Sequence, residues 1–184
     1  MTNASAHMKY IMLSEEEIKA RVARLSEEIN RDYAHLGDEP ILFVGMLKGA
    51  FVFFADLVRG LNLNCEVDFM AASSYKDSTV SSGVITITRD IGDIKGKHVV
   101  IVEDIIDSGN SMSYILELLR SREPASLKLC SLLSKPSRRV TEVAIDYLGF
   151  TIEDEFVVGY GLDYARKYRH LPYIGVLKPE IYAE

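Results

Sequence analysis

The clearest hydrophobic pattern near the start of the chain is helical. Ser14 followed three residues later by Glu17 has the form of a capping box, which satisfies the first backbone N–H groups of a helix. Apolar residues then recur three or four positions apart, at Ile18, Val22, Leu25 and Ile29. This spacing predicts an amphipathic helix that ends before Gly37.

After this helix, short apolar runs alternate with helical patterns. Residues 50–59 and the run that begins at Met112 have apolar residues at helical spacing and predict two further helices. The runs predicted to be strands are 41–46, 65–71, 84–88, 98–102, 127–133, 143–148, 156–160 and 174–177.

Strands that alternate with helices are typical of an α/β fold with a mainly parallel, twisted sheet flanked by helices. We expect one domain over residues 1–184, with a small hood formed by the N-terminal and C-terminal segments. Residues 1–8 are expected to be a disordered tail, or an addition ahead of a natural start at Met8. A ligand should bind at the carboxyl ends of the strands.

Composition narrows the class of protein. Hydrophobic residues make up 48% of the chain and charged residues 26%, as in ordinary globular proteins. The net charge of −6 argues against a nucleic-acid surface, and the longest apolar stretch is too short to cross a membrane. Cys65 and Cys130 lie in apolar runs without the spacing of a zinc or redox site, which favours buried thiols in the reducing cytoplasm.

The segment from Val99 to Met112 carries the most chemical information. A β-branched run leads into Glu103 and Asp104, then Asp107, a loop of small residues, and a helix. Backbone N–H groups in such a loop and the helix dipole favour a phosphate. Because carboxylates repel phosphate, the adjacent acids suit ribose hydroxyls and Mg²⁺, although a solvated acidic edge is the alternative. In a strand their side chains should point to opposite faces, so that one meets the ligand directly.

This segment closely resembles the phosphoribosyl pyrophosphate (PRPP) motif of type I phosphoribosyltransferases. From about Leu47 to Arg169 the chain resembles the hypoxanthine-guanine branch of that family. The resemblance implies the type I fold, Mg²⁺ as cofactor, and transfer of phosphoribose from PRPP to hypoxanthine or guanine. The products would be a nucleoside 5′-monophosphate and pyrophosphate, as in purine salvage.

The resemblance assigns roles to the motif residues. Glu103 and Asp104 would serve the ribose hydroxyls and Mg²⁺. Asp107 would accept or share a proton at purine N7, although capping of the following helix is an alternative role. The phosphate cradle would consist of Ser108, Gly109, Asn110 and Ser111. Many relatives have Lys where this chain has Asn110, which leaves the phosphate affinity open.

Other segments match the family in the same order. Lys48 and Gly49 match a pyrophosphate loop that holds a non-proline cis peptide in relatives, although an ordinary strand-to-helix turn has the same sequence features. Arg169 matches the pyrophosphate arginine and Asp163 the ligand of a second metal. Ser74 and Tyr75 match a lid that excludes water from the reacting sugar, and a plain hairpin loop is the alternative.

The purine pocket is also assigned by resemblance. Lys135 would contact the exocyclic oxygen of a 6-oxopurine, Phe156 would stack on the base, and the Val157 backbone would contact its edge, near Asp163. Without the resemblance, a Phe in such an apolar run is more often part of the core than a platform for a base.

The expected partners are therefore PRPP and a 6-oxopurine, with no nucleic acid and no membrane, in a homodimer or homotetramer. Two alternatives stay open. The enzyme could prefer xanthine or another base, and the same fold also serves as a regulatory protein that binds nucleotides and RNA. A steep salt dependence of RNA binding would distinguish the second alternative.

Overall fold

The computed structural model describes residues 4–74 and 85–182. In chain order the strands and helices are β1 (Met8–Leu13), α1 (Glu15–Tyr33), β2 (Ile41–Leu47), α2 (Phe51–Arg59), β3 (Cys65–Ser74), β4 (Ile85–Arg89), β5 (His98–Ile106), α3 (Asn110–Arg120), β6 (Ser126–Ser134), β7 (Tyr147–Thr151), β8 (Val157–Val158), β9 (Ile174–Leu177) and α4 (Pro179–Tyr182). Short 3₁₀ turns span Ala4–His7, Ala34–Leu36 and Pro136–Arg138.

The main sheet has the strand order β4-β3-β2-β5-β6-β7. Strands β3, β2, β5, β6 and β7 are parallel to their neighbours, and β4 pairs antiparallel with β3 at the edge. The chain runs outward from β2 to β3 on one side and continues at β5 on the other. The carboxyl ends of β2 and β5 therefore flank the point where the strand order reverses, the usual ligand position in such sheets.

Helices cover both faces of this sheet, as the alternating pattern predicted. Ser14 caps α1, accepting a hydrogen bond from the Glu17 N–H, while Glu17 returns one to the Ser14 backbone. The apolar face of α1 packs with α2 on one side of β2 and β5, where Ile18, Leu25 and Phe53 are fully buried. Helix α3 packs on the other side, with Ile115 and Leu119 in the second core.

A second, three-stranded sheet with the order β1-β9-β8 forms the predicted hood. One face of this sheet joins the main core through Val157, Ile174 and Val176, and the other forms a small core of its own with Met8, Val158, Leu171 and Leu177. The expectation that residues 1–8 are disordered is wrong from Ala4 onward. A short 3₁₀ turn precedes β1, Met8 pairs with β9, and the His7 ring hydrogen-bonds the Tyr168 hydroxyl at 2.8 Å.

Several strand limits differ from the sequence predictions. The strand predicted at 143–148 begins only at Tyr147, and the one predicted at 156–160 is limited to Val157–Val158. Strand β5 is longer than predicted and continues through Glu103 and Asp104 to Ile106 because β6 pairs with it along this length. The acidic pair therefore lies within a strand and not in a loop.

Within the described ranges no helix is long and apolar enough to cross a membrane. Both cysteines are free thiols; Cys130 is buried in β6 and Cys65 is half-buried at the start of β3. Burial raises the pKa of both thiols, which keeps them protonated and unreactive at neutral pH.

Candidate active site

The acidic pair of β5 lies in a cavity, not on a solvated edge. Glu103 and Asp104 are both half-buried, and both line a cavity of about 190 Å³ with Leu47, Gly49 and Ser111. Although adjacent strand positions were expected to face opposite ways, both residues reach the same cavity, and Glu103 Oε1 accepts the Asp104 N–H at 3.1 Å. Burial and the neighbouring Asp104 carboxylate raise the pKa of Glu103 well above its ordinary value.

The turn after β2 lies directly against this pair. A Cβ added to Gly49 would collide with the Asp104 carboxylate, so that only glycine lets the backbone come this close. The Leu47–Lys48 peptide bond is cis, as the family resemblance implied, and the Lys48 side chain is exposed. The turn after β2 and the two carboxylates therefore line the same cavity through Leu47 and Gly49.

The loop after β5 forms the N-terminus of α3. Gly109 is the N-cap residue with φ of +85°, and a Cβ there would collide with the Thr141 carbonyl oxygen. The Ser108 carbonyl accepts hydrogen bonds from the Val140 and Thr141 N–H groups at 2.9 and 3.0 Å. The Thr141 hydroxyl donates to Asn110 Oδ1 at 2.6 Å. The segment after β6 thus fixes the loop while the first N–H groups of α3 stay directed toward a ligand.

A second cavity of about 120 Å³ lies over this loop and shares Glu103 and Ser111 with the first. Together they run from the turn after β2 to the start of α3. A larger cavity of about 440 Å³ lies on the Arg169 side of the turn after β2 and is lined by His7, Phe51, Arg166, Lys167, Tyr168, Arg169 and His170, with Ala4. It lacks the acidic pair and the strand–loop–helix amides, so chemistry and not volume identifies the candidate site.

Asp107 is paired with an arginine that the sequence analysis missed. Its Oδ1 accepts a hydrogen bond from Arg138 Nε at 2.8 Å, and Arg138 also reaches Asp154 at 3.3 Å. The N-cap residue of α3 is Gly109, and the hydrogen bond described for Asp107 goes to Arg138 and not to the helix, so the structure does not support the alternative role of Asp107 as a helix cap. The arginine engages one carboxylate oxygen and leaves Asp107 Oδ2 as the acceptor that can face a ligand.

Lys135 is brought to the predicted base-contacting residues. It is only 8% exposed, and its Nζ donates to the Glu155 carbonyl at 2.7 Å, one residue before Phe156. The Lys135 N–H donates to the Ile106 carbonyl at the end of β5. The backbone hydrogen bond therefore places Lys135 next to Asp107, and the side-chain hydrogen bond places it next to the Phe156 segment.

Phe156 is not a core residue, contrary to the general expectation for such a run. Its side chain is 38% exposed, whereas Val157 is buried and pairs with Val176 of β9. The exposed ring at the end of a strand and beside a buried lysine provides a flat apolar surface, with donors and acceptors within reach.

Asp163 and Arg169 lie together in the loop after β8. Arg169 Nη2 pairs with Asp163 Oδ1 at 2.6 Å, and Arg169 Nη1 donates to the Gly161 carbonyl at 2.6 Å. The Gly161 backbone in turn packs against the Gly49 carbonyl, which places this loop beside the turn after β2. A charged tail alone would predict two side chains isolated on the surface, whereas here the two are paired with each other.

The donor set suits a divalent cation that substrate oxygens help to hold. Within the described residues there is no group of three or more His, Cys, Asp or Glu side chains that could hold a metal on its own. Glu103 and Asp104 form a close carboxylate pair whose mutual repulsion a cation would relieve. Mg²⁺ commonly binds through one or two carboxylates together with substrate phosphates.

The predicted lid falls mainly outside the described part of the chain. Ser74 is the last residue of β3 and pairs with Ile85 of β4. Tyr75 lies among residues 75–84, outside the described residues.

A family model described as phosphoribosyl transferase domain matches residues 12–165. The chain belongs to the phosphoribosyl transferase domain family. The matched residues include all of β2, β5 and α3, and therefore the strand–loop–helix unit described above.

Curated and solved relatives agree with this membership. The chain is 52% identical over 170 residues to the hypoxanthine phosphoribosyltransferase of Escherichia coli K12, covering 92% of this chain and 95% of the relative. It is 50% identical to the hypoxanthine-guanine phosphoribosyltransferase of Streptococcus pneumoniae R6, covering 96% and 97%. A crystal structure of a hypoxanthine phosphoribosyltransferase from Staphylococcus aureus matches with a TM-score of 0.92 at 42% identity and 100% coverage of both chains.

The candidate site contains residues that sequence reasoning missed. Arg138 pairs with Asp107, Thr141 holds Asn110, and Arg139 Nη2 donates to Ser134 Oγ at 2.6 Å. Arg138, Arg139 and Thr141 belong to the polar segment 134–141 that follows β6, and its contacts with the motif loop were not predicted. Its run of basic residues directly after a strand end was the available signal.

Proposed function

We propose that this chain transfers the 5-phosphoribosyl group from PRPP to hypoxanthine or guanine, with release of pyrophosphate, as a purine salvage enzyme. The observation that carries the proposal is the cavity in which Glu103 and Asp104 meet the Gly49 turn and Ser111 at the start of α3. This arrangement combines a phosphate site, acceptors for a diol and a lysine-bearing turn for a second phosphate group.

The strand ends suggest how PRPP lies in the site. The 5′-phosphate would bind the N–H groups and hydroxyls of Ser108, Gly109, Asn110 and Ser111 at the start of α3. The ribose hydroxyls would donate to Glu103 and Asp104. The pyrophosphate would then reach the turn at Lys48 and Gly49.

Arg169 can bind the pyrophosphate only if its guanidinium contacts Asp163 and the pyrophosphate together, or leaves Asp163 for the pyrophosphate. The loop packs against the Gly49 carbonyl, so the guanidinium is on the correct side of the cleft. Asp163 keeps Arg169 oriented. Together with Glu103 and Asp104, it is also one of the three carboxylates proposed to bind the metal ions. Mg²⁺, when bound, neutralises the charge that develops on the departing pyrophosphate.

Asp107 is the proposed proton acceptor. As the bond from ribose C1′ to pyrophosphate breaks, the attacking purine nitrogen must be electron-rich, which requires a proton to be held or removed at N7. Arg138 fixes the Asp107 carboxylate through Oδ1 at 2.8 Å, and the second oxygen can take that proton. The arginine thus limits the rotation of Asp107 without being an acceptor itself.

The base would lie between Asp107 and the Phe156 segment. Lys135 offers donors only, so it suits the 6-oxygen of hypoxanthine or guanine and opposes the amino group of adenine. Phe156 would stack on the ring and the Val157 backbone would contact its edge. Lys135 is nearly buried and already donates to the Glu155 carbonyl, with Asp154 Oδ1 at 3.6 Å, so it stays charged and opposes a base that places an amino donor against it.

The setting follows from the same proposal. A salvage enzyme with two free thiols and small-molecule substrates fits the cytoplasm. We propose a homodimer or homotetramer, which sedimentation of the purified protein would establish. No nucleic acid or membrane is needed for the reaction.

A steady-state assay with each base tests the proposal. With saturating PRPP and Mg²⁺, hypoxanthine and guanine should be converted to inosine and guanosine 5′-monophosphate, and adenine should be a poor substrate. A kcat/KM for xanthine above that for both other oxopurines would replace the proposed substrates. Absence of turnover with every base, together with tight RNA binding that falls steeply with salt, would favour the regulatory alternative.

A further inference from the structure

Two tyrosine rings pack on the exposed ring of Phe156. Tyr182 of α4 stacks on it with a centroid separation of 4.6 Å and an interplanar angle of 18°. Tyr164 meets it edge-on at 5.7 Å and 86°, and also meets Tyr182 at 6.5 Å and 69°. These distances and angles lie in the range of favourable aromatic pairs, so the three rings form one cluster.

The cluster is attached to the hood. The Leu177 N–H at the end of β9 donates to the Phe156 carbonyl at 2.8 Å, and α4 follows directly. Tyr182 and Tyr164 pack against the hood core that contains Val158 and Leu177. Tyr182 therefore approaches Phe156 from the side of the hood core.

One face of Phe156 remains available. Tyr182 stacks on one face of the ring and Tyr164 meets the ring edge-on, yet Phe156 is still 38% exposed. Neither tyrosine occupies the face opposite Tyr182. That face is where a planar ligand can stack without displacing Tyr182.

We propose that Tyr182 is a positioning residue for the purine base. It holds the plane of Phe156 from behind, so that the base completes a three-layer stack of Tyr182, Phe156 and purine. This rests on the proposed function, in particular on Phe156 as the ring that stacks on the base.

The physical reason is preorganisation. An exposed Phe ring at a strand end can change rotamer, and a base that binds a mobile ring must pay for ordering it. A ring already stacked in place has lost that freedom on folding. The benefit falls on the base and not on PRPP, because the phosphate loop and the acidic pair lie on other elements.

Steady-state kinetics of Tyr182→Ala and Tyr182→Phe test this. For Tyr182→Ala we expect the KM for hypoxanthine to rise about 3- to 10-fold, as the loss of one aromatic pair allows, with kcat and the KM for PRPP unchanged. Tyr182→Phe keeps the ring and should restore the wild-type KM. Tyr10→Ala is the matched control, since Tyr10 is an exposed tyrosine of the same hood sheet.

Several outcomes would overturn the proposal. A lower KM for hypoxanthine in Tyr182→Ala would mean that Tyr182 blocks the base. An unchanged KM would mean that the stack has no role in binding, and equal losses for base and PRPP, or in Tyr10→Ala, would mean a general structural effect. Failure of Tyr182→Phe to restore the KM would show that the hydroxyl and not the ring matters.

Phe156→Ala separates this inference from the proposed function. If the wild type does not use oxopurines, or if Phe156→Ala leaves the base KM unchanged, the proposed role of Phe156 fails first. If Phe156→Ala raises the base KM and Tyr182→Ala does not, only the positioning role fails. In the double variant Tyr182→Ala should add nothing to the effect of Phe156→Ala, because Tyr182 acts through that ring.

Discussion

At the scale of single residues, the proposed chemistry depends on side chains that a hydrogen bond to another residue holds in place. Asp107 is held by Arg138 through one oxygen, and Lys135 is held by the Glu155 carbonyl while nearly excluded from water. The residue types were evident from the sequence, because the motif is contiguous. Their partners were not, since Arg138 lies 31 residues from Asp107 and is brought there only by the pairing of β5 with β6.

Asp107→Asn removes a proton acceptor with little change in size. We expect kcat to fall by roughly 10²–10⁴-fold, the usual contribution of a general acid–base group, while the KM for PRPP is nearly kept. Asp90→Asn, which removes a carboxylate paired with another arginine, Arg122, is the control and should keep wild-type kcat. An unchanged kcat in Asp107→Asn would exclude Asp107 as the acceptor.

Lys135→Met replaces the donor that faces the 6-position of the base. The wild type should discriminate against adenine by about 10⁴–10⁵-fold in kcat/KM, as sites built on a polar match do. The variant should lose most activity on oxopurines and narrow the gap to adenine. Lys128→Met, a change in the strand that precedes Lys135, should leave the ratio intact. If Lys135→Met keeps the wild-type ratio, another group selects the base.

At the scale of elements, the site depends on where strands end and loops begin. The sequence predicted a strand, a small-residue loop and a helix at 99–119, and all three form. It did not predict that β5 extends to Ile106, because Glu103 and Asp104 are unfavourable in isolated strands and are held there by pairing with β6. Nor did it predict that Val140 and Thr141 hydrogen-bond the loop at Ser108.

Gly109→Ala tests the loop at the start of α3. The residue has φ of +85° and no room for a Cβ beside the Thr141 carbonyl, so alanine should cost about 1–3 kcal/mol of folding free energy. The shifted loop should also raise the KM for PRPP. Denaturant unfolding and steady-state kinetics measure the two effects. Gly92→Ala, where open space surrounds the added methyl group, is the control; a Gly109→Ala protein as stable and as active as wild type would contradict this account of the loop.

At the scale of the whole molecule, the site lies where the main sheet and the hood meet. The sheet supplies Glu103 to Ser111 and Lys48, and the hood supplies Phe156 and Val157 beside Lys135. Alternating strands and helices made the main sheet predictable. The hood was less so, because β1 has no clean apolar alternation and is held by pairing with β9 at the other end of the chain. Its aromatic cluster likewise depends on contacts distant in sequence.

Removal of divalent cations should abolish turnover. PRPP brings a diphosphate to a cleft that already contains Glu103 and Asp104, with Asp163 in the adjoining loop, and such a charge cluster needs cations. Activity should vanish with excess chelator and return when Mg²⁺ is added back. Circular dichroism should be unchanged by the chelator, because the described residues alone form no complete metal site. Full activity in excess chelator would contradict the assignment of these carboxylates.

The most direct test of the central claim is the product balance of one reaction followed by ³¹P NMR. PRPP, Mg²⁺ and the purified chain are incubated with hypoxanthine, with adenine or with no base. With hypoxanthine we expect inosine 5′-monophosphate and pyrophosphate to appear in equal amounts as PRPP disappears, and almost no change in the other two samples. Loss of PRPP without nucleotide, nucleotide formed as readily from adenine, or no reaction with hypoxanthine and guanine would contradict the account.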